Sequence, residues 1–254
     1  MFSGVRFFVV AMLFLFSFST NARDLHILVM QEGGAADCRE APHEKKVQGV
    51  YLLDLNGQET PARLSTGRTD CAADNISVLL GQKMIQTGIA ERVFFMSISA
   101  SGEHVHDWLT GGALYKDLQL AVKAEKLKKI KFDYALWQGW FIDEKLTESQ
   151  YNGEVRRAVK SVSLDMKVEK WIIGRNGKCG QKKTAHTSSV KWEVLLNRFP
   201  GPDIGQLNDE YYSGNCGMNE LGQNALAQLW FDTIKSVDIA SGKYQRESLL
   251  YYFK

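Results

Sequence analysis

Short, continuous runs of apolar residues separated by helix-like segments constrain the fold of this chain more than any other feature. The runs that predict strands are His26–Met30, Val50–Leu55, Val93–Ile98, Phe132–Trp137 and Glu169–Ile173. Strands of a parallel sheet have this pattern because helices cover the sheet on both faces. The sequence therefore predicts an α/β fold, a three-layer α/β/α sandwich with a mostly parallel central sheet.

Periodicity and turn residues place the remaining elements. The segments that predict helices are Asn75–Thr87, Leu114–Leu127, Ser149–Ser161 and Asn219–Ile234. Asn56-Gly57 predicts a tight turn after the second strand, and the tail Tyr244–Lys254 is expected to form a final edge strand. Binding sites in such sheets lie at the carboxyl ends of the strands. A site is therefore expected in the loops after the first, third, fourth and fifth predicted strands, and at the start of the last helix.

The first 22 residues have the three-part layout of a secretory signal peptide. Arg6 supplies a positive charge, Phe7–Phe18 is uncharged and apolar, and a small-residue exit ends at Ala22. The apolar run is only about half of the roughly 20 residues that span a bilayer, which disfavours the alternative of a retained anchor. We expect a single domain over residues 23–254, exported to the periplasm or secreted after cleavage near Ala22, with no stable membrane insertion.

Four cysteines follow the cleavage site. An even number in an oxidising compartment favours two disulfides. Of the three connectivities, the order of the chain favours Cys38–Cys71 with Cys179–Cys216, because each pair closes a loop of moderate length. No CxxC spacing occurs, so zinc binding and thiol redox chemistry are not expected.

The charge of the chain is nearly balanced, with 31 Lys and Arg against 29 Asp and Glu. This balance does not favour a nucleic acid or an acidic membrane as a partner. The basic stretch Lys123–Lys131 is typical of the solvated face and end of a helix. No cofactor is expected.

Several segments resemble, in the correct order, the sequence blocks of the sialate O-acetylesterase branch of the SGNH hydrolases. Ser99–Tyr115 has the glycine turn, the Trp and the Gly-Gly pair of the second block, and Leu136–Asp143 has the Leu-Trp start of the third. Gly201–Leu207 and Tyr212–Trp230 resemble the closing block, with its Asn-Glu pair and its helix ending in Ala-x-x-Trp. The resemblance implies an SGNH, flavodoxin-like sheet of about five strands and the activity of a carbohydrate O-acetylesterase.

The catalytic triad of that family is missing from this sequence. Ester cleavage requires a serine nucleophile after the first strand and a histidine base oriented by an aspartate. The nucleophile block corresponds to Met30-Gln31-Glu32, where Gln31 is a pocket remnant and no Ser or Thr occurs from Arg23 to Gln58. Gly217 takes the place of the histidine and Gly214 that of the aspartate, and neither can move or orient a proton.

The oxyanion-binding elements of the family survive in part. Gly102 matches the glycine of the second block. Gln138 matches the Gln of the third block when one residue is skipped, whereas a gapless alignment puts Gly139 there. The family's Glu becomes Trp140 or Phe141, whose rings offer an apolar face for stacking on a sugar.

Other residues are weaker candidates. Ser101, three residues before His104, suits a relocated nucleophile but lacks the strand–turn–helix elbow that exposes a reactive serine. His186 suits a relocated base, although a solvated loop histidine is the simpler interpretation. His104 and His106 alternate as two metal ligands do, but two ligands are a weak signal and no metal is expected.

Two functions follow from these residues. The first is a catalytically degenerate, exported protein that recognises a glycan or an acylated sugar in the former ester-cleaving cleft. The second is a working carbohydrate O-acetylesterase, a serine hydrolase whose nucleophile has moved. The loss of all three triad positions together favours the first, because an alignment slip accounts for one loss but hardly for three.

Overall fold

The computed structural model describes residues 23–32, 44–65, 72–100, 105–139, 146–175, 197–213 and 217–252. Its strands are β1 (Arg23–Glu32), β2 (Glu44–Leu53), β3 (Glu59–Ser65), β4 (Ala90–Ala100), β5 (Phe132–Gln138), β6 (Val168–Arg175), β7 (Arg198–Asp203), β8 (Tyr212–Ser213) and β9 (Gly217–Met218). Its helices are α1 (Ala72–Gln86), α2 (Tyr115–Lys128), α3 (Glu148–Asp165) and α4 (Glu220–Tyr252). Short 3₁₀ turns occur at Val105–Trp108, Ile204–Gln206 and Asp209–Tyr211. The five strands predicted from apolar runs and the four predicted helices are all present.

The central sheet has seven strands in the order β3-β2-β4-β1-β5-β6-β7. β3 pairs antiparallel with β2, and the other neighbouring strands pair in parallel. One face packs against α1 and α4, and the other packs against α2 and α3. The fold is a three-layer α/β/α sandwich with a mostly parallel sheet, so the predicted fold class is confirmed.

The alternation of side chains along each strand divides the core into two layers. In β1, Leu25, Ile27 and Val29 pack toward α1 and α4, whereas Leu28 and Met30 pack toward α2 and α3. All five are buried, which is why the strand is continuously apolar in sequence. Because successive side chains point to opposite faces, a polar residue at position 31 faces α1 and α4.

Two edge strands carry no apolar run and are not predicted. β3 contains Pro61, and β7 contains Pro200 and Pro202. Proline removes a backbone N–H and is therefore confined to sheet edges. The backbone N of Trp171 in β6 donates to the carbonyl of Asn197, directly before β7. In this parallel register the nitrogen of Pro200 points away from β6. With these edges, the sheet has seven strands rather than about five.

The C-terminal tail is helical. α4 continues to Tyr252, so the edge strand predicted over Tyr244–Lys254 is wrong. Extending a helix that has already formed fixes one residue for each new hydrogen bond, whereas starting a new element carries a nucleation cost.

A buried tyrosine ties α4 to the sheet. Tyr134 on β5 is almost fully buried, and its hydroxyl donates to the carboxylate of Asp238 at 2.8 Å. Lys170 on β6 forms an ion pair with the same carboxylate at 2.6 Å. These contacts hold the middle of α4 against β5 and β6, which leaves its first turns at the carboxyl ends of the strands.

Some predictions fall on residues that the structure does not describe. These are the signal peptide at residues 1–22 and the cysteines Cys38, Cys71, Cys179 and Cys216. Among the described helices, none combines the length and the apolarity that crossing a membrane requires.

Candidate functional site

The path of the chain reverses direction across the sheet at β1. From β1 the chain goes to β2 and β3 on one side, but after β4 it crosses β1 to reach β5 on the other side. Open α/β sheets bind ligands in the crevice at such a switch point, outside the carboxyl ends of the strands. The candidate site therefore lies at the ends of β1, β4 and β5.

Two glutamines lie side by side at this point. Gln31 on β1 and Gln138 on β5 are neighbours in register. Both face α1 and α4, because Val29 and Leu136, two residues earlier in each strand, pack on that side. Gln31 is 4% exposed and Gln138 is 3% exposed. The structure thus brings together two of the predicted pocket residues.

The side-chain amide of Gln138 has a partner at one end. Its Oε1 accepts a hydrogen bond from Trp230 Nε1 at 2.8 Å. Because the indole can only donate, this bond fixes which end of the amide is the oxygen. Its Nε2 is buried, and no acceptor in the described part of the chain lies within reach. A buried donor without a partner costs about 1–3 kcal/mol, so an acceptor that reached this amide nitrogen would be stabilised by it.

Glycines make room for Trp230 at the sheet. A Cβ on Gly174 of β6 would lie 3.2 Å from both Trp137 O and the Trp230 ring. A Cβ on Gly201 of β7 would lie 2.4 Å from the backbone N of Gly174. The close approach of these backbones allows the indole to reach Gln138.

A second pair of buried amides joins the first turns of α1 and α4. Asn75 Nδ2 donates to Gln223 Oε1 at 2.9 Å, and Gln223 Nε2 donates to the carbonyl of Met218 at 3.0 Å. Both ends of the Gln223 amide are therefore bonded, in contrast to Gln138. We call the two pairs together, Gln31 with Gln138 and Asn75 with Gln223, the amide cluster, because all four are buried amides of the layer of α1 and α4 and are at most 4% exposed.

The Asn-Glu-x-Gly pattern of the closing segment has a structural explanation. Asn219 Oδ1 accepts from Gly222 N at 2.9 Å and so caps α4. A Cβ on Gly222 would lie 2.1 Å from the carbonyl oxygen of Tyr211, so glycine lets the helix begin against the preceding 3₁₀ turn. Gly217, which the resemblance predicts to replace a histidine, pairs with Ser213 in the β8–β9 ladder. Gly214 lies outside the described residues.

Tyr212 is a candidate that the sequence did not single out. It is half-buried on β8, just before the closing loop, and its hydroxyl has no partner among the described residues. Burial, with a smaller contribution from Asp209, raises the pKa of the Tyr212 phenol. The group therefore stays protonated near neutral pH and can donate a hydrogen bond. In the sequence, a tyrosine between turns that donates to a ligand has the same pattern as a tyrosine that only packs, so Tyr212 could not be singled out.

The two histidines in the described part of the chain belong to the opposite layer. His26 lies near the start of β1 and stacks on Phe94, with ring centroids 4.7 Å apart. It points away from the face of Gln31 and lies about 16 Å from it along the strand. His106 is exposed in a 3₁₀ turn that packs with α3, and its Nε2 is 3.5 Å from Asp107. The described residues thus offer no imidazole base beside the amide cluster.

The segment that leads into α2 contains a tight turn at Gly111 and Gly112. Gly111 has a φ of +92°, and a Cβ on Gly112 would lie 2.3 Å from the carbonyl oxygen of Asp107. Trp108 is fully buried against Trp137, with ring centroids 5.5 Å apart. The Gly-Gly pair and the Trp therefore shape the entry to α2, and Trp137 is a core residue as the strand pattern predicts.

The remaining predicted site residues lie outside the described part of the chain. They are Ser101, Gly102, His104, Trp140, Phe141 and His186, and their roles stay predictions. β4 nevertheless brings two serines toward the same edge of the sheet, with Ser97 beside Val29 and Ser99 beside Gln31 in register. Over the described ranges, no group of three or more His, Cys, Asp and Glu side chains is arranged to hold a metal ion.

The chain shares its three-layer fold with solved structures of other proteins. No protein-family model and no curated protein matches it. The crystal structure of a protein from Arabidopsis thaliana is similar over 84% of this chain and 97% of its own, with a TM-score of 0.50 and 12% identity. A Bacillus subtilis protein is similar over 86% of this chain, which spans 58% of that protein, with a TM-score of 0.51 and 12% identity. A likeness at this level of identity shows the fold alone.

Proposed function

We propose that this protein is exported and binds an acylated sugar beside the amide cluster without cleaving its ester. One observation carries the proposal. The Nε2 of Gln138 is buried, its amide is oriented by Trp230, and it has no acceptor among the described residues. The carbonyl oxygen of an acetyl group is an acceptor that pairs with such a donor.

The chemistry of the buried residues suits a neutral ligand. Amides both donate and accept, which matches the hydroxyl and acyl groups of a sugar. A phosphate or carboxylate ligand favours Arg or Lys in its site. No Arg or Lys is among the buried side chains of the described residues. Tyr212 adds a further neutral donor near the start of α4.

Binding without ester cleavage is expected because the amide donors are present, whereas the sequence has no nucleophile or base at the positions where the resemblance predicts them. β1 ends at Gln31 and Glu32, and the stretch from Arg23 to Gln58 contains no Ser or Thr to serve as the nucleophile. Loss of a nucleophile or a base removes several powers of ten in rate. Donors aimed at a carbonyl oxygen still bind it when those groups are gone.

A titration tests the proposal. We expect 6-O-acetyl-N-acetylglucosamine to bind saturably in an NMR titration, and 9-O-acetyl-N-acetylneuraminic acid, which is charged, to bind more weakly. Gln138→Met removes the donor and should weaken binding by about tenfold, since 1.4 kcal/mol corresponds to a factor of ten. Gln119→Met, on the exposed face of α2, is the matched control and should bind as the wild type does. Equal binding by the Gln138 and Gln119 variants would contradict the proposal.

An active O-acetylesterase is the second candidate, because β4 places Ser99 beside Gln31 in register. Acetate is therefore measured in the same titration. Steady acetate release that is abolished by Ser97→Ala, Ser99→Ala or Ser101→Ala would establish the esterase and reject binding without cleavage.

A further inference from the structure

The outer face of α2 has a pattern that the candidate site does not use. Lysine and leucine alternate at Lys116, Leu120, Lys123 and Leu127. Residues spaced by four, three and four positions lie along one side of a helix, and this row is about 16 Å long at 1.5 Å per residue. All four side chains are exposed, with Leu120 at 43% and Leu127 at 71%.

Positive charge is concentrated around this row. The further exposed cations are Lys126, Lys128, Lys129 and Lys131, of which Lys131 is paired with Glu169. The two acids of α2 are less exposed than these lysines. Asp117 is half-buried, and Glu125 is buried, with its Oε1 accepting from the backbone N of Lys167 at 3.4 Å. The balanced charge of the whole chain therefore conceals a strongly positive local surface.

We propose that this surface docks on a bilayer that contains anionic phospholipids. We call it the lysine face, and it consists of Lys116, Leu120, Lys123, Lys126, Leu127, Lys128 and Lys129. Lysines attract anionic headgroups within a Debye length of about 8–10 Å. The exposed leucines enter the boundary between headgroups and acyl chains, as the apolar residues of interfacial helices do.

The leucines distinguish a bilayer from a soluble polyanion. A polyanion pairs with the lysines but has no apolar layer to receive Leu120 and Leu127. The docking is peripheral, because α2 stays packed on the sheet through Leu118, Ala121 and Val122. It leaves the amide cluster uncovered, since that cluster lies in the layer of α1 and α4. The proposal does not depend on the function proposed above.

Vesicle cosedimentation tests the lysine face. The purified protein should bind phosphatidylcholine vesicles that contain phosphatidylglycerol, bind pure phosphatidylcholine vesicles at least tenfold more weakly, and dissociate as salt is raised. Lys123→Gln with Lys126→Gln should weaken binding by at least tenfold. Leu120→Ser with Leu127→Ser should weaken it by about tenfold, because both side chains leave the apolar boundary.

A charge-matched variant provides the control. Lys45→Gln with Lys46→Gln removes the same charge from exposed positions on β2 and should bind vesicles as the wild type does. All variants carry the same N-terminus, so differences between them report on the substitutions, and far-ultraviolet circular dichroism shows that each is folded. Equal weakening by the β2 variant would overturn the proposal. So would full binding by the leucine variant together with competition by heparin, which would indicate a soluble polyanion instead.

Discussion

Two buried glutamines make a matched pair for testing whether Gln138 holds an unused donor. Gln138 and Gln223 have nearly equal exposure, at 3% and 4%, but only Gln223 is bonded at both ends. Gln223→Met removes two buried hydrogen bonds and should lower the free energy of unfolding by about 2–6 kcal/mol, at 1–3 kcal/mol for each bond. Gln138→Met removes the bond from Trp230 but also removes the buried Nε2 that has no partner. These two effects are each about 1–3 kcal/mol and opposite in sign, so they largely cancel and the net change should lie within about 2 kcal/mol of zero.

Urea denaturation of the two variants measures this difference directly. With an unchanged slope, the shift of the midpoint reports the change in stability. The Gln223 variant should be the less stable, by about 4 kcal/mol at the middle of these ranges. If both variants lose the same stability, the amide nitrogen of Gln138 is bonded in the folded protein and the reasoning behind the ligand site fails.

Other perturbations have outcomes that the packing and the pKa directions define. Gly222→Ala should lower the free energy of unfolding by about 1–3 kcal/mol, because its Cβ would meet a backbone oxygen at 2.1 Å. Gly153→Ala, in α3, should raise the free energy of unfolding by about 0.5–1 kcal/mol, because no atom lies within 4 Å of the added Cβ. Urea midpoints of the two variants measure both changes. Tyr134→Phe removes the hydroxyl that donates to Asp238 and should lower the urea midpoint by the equivalent of about 1–2 kcal/mol, with the slope unchanged. Burial lowers the pKa of His26 from its usual 6.5, so as the pH falls the unfolded chain binds the proton before the folded protein does. The stability of the protein should therefore decrease as the pH drops from 6.5 to the lowered pKa. In urea midpoints measured across this range, His26→Phe should flatten the decline.

The layers of the fold are predictable from the sequence because each depends on local pattern. β1 and β5 are buried on both faces, and this gives them continuous apolar runs that need no knowledge of their neighbours. β3 and β7 are not predictable in this way, because edge strands need less apolar surface and here contain prolines. The strand predicted for the tail is wrong because its apolar residues fit a strand as well as a helix over a short window.

The candidate site is only partly predictable. Gln31 and Gln138 were identified through resemblance to a family, and the strand alternation explains why both face α1 and α4. The bond from Trp230 to Gln138 joins residues 92 positions apart, and that from Asn75 to Gln223 joins residues 148 apart. Contacts of this range depend on the order of strands in the sheet, which no local pattern encodes.

The reaction of the protein with a fluorophosphonate probe tests the central claim, that the cleft binds acyl groups but has no nucleophile. Intact-mass spectrometry after incubation at neutral pH would detect an adduct on any activated serine. We predict an unmodified mass under conditions where a control serine esterase is fully labelled. An adduct of one probe per chain, located on a single serine and lost when that serine is changed to alanine, would contradict the account.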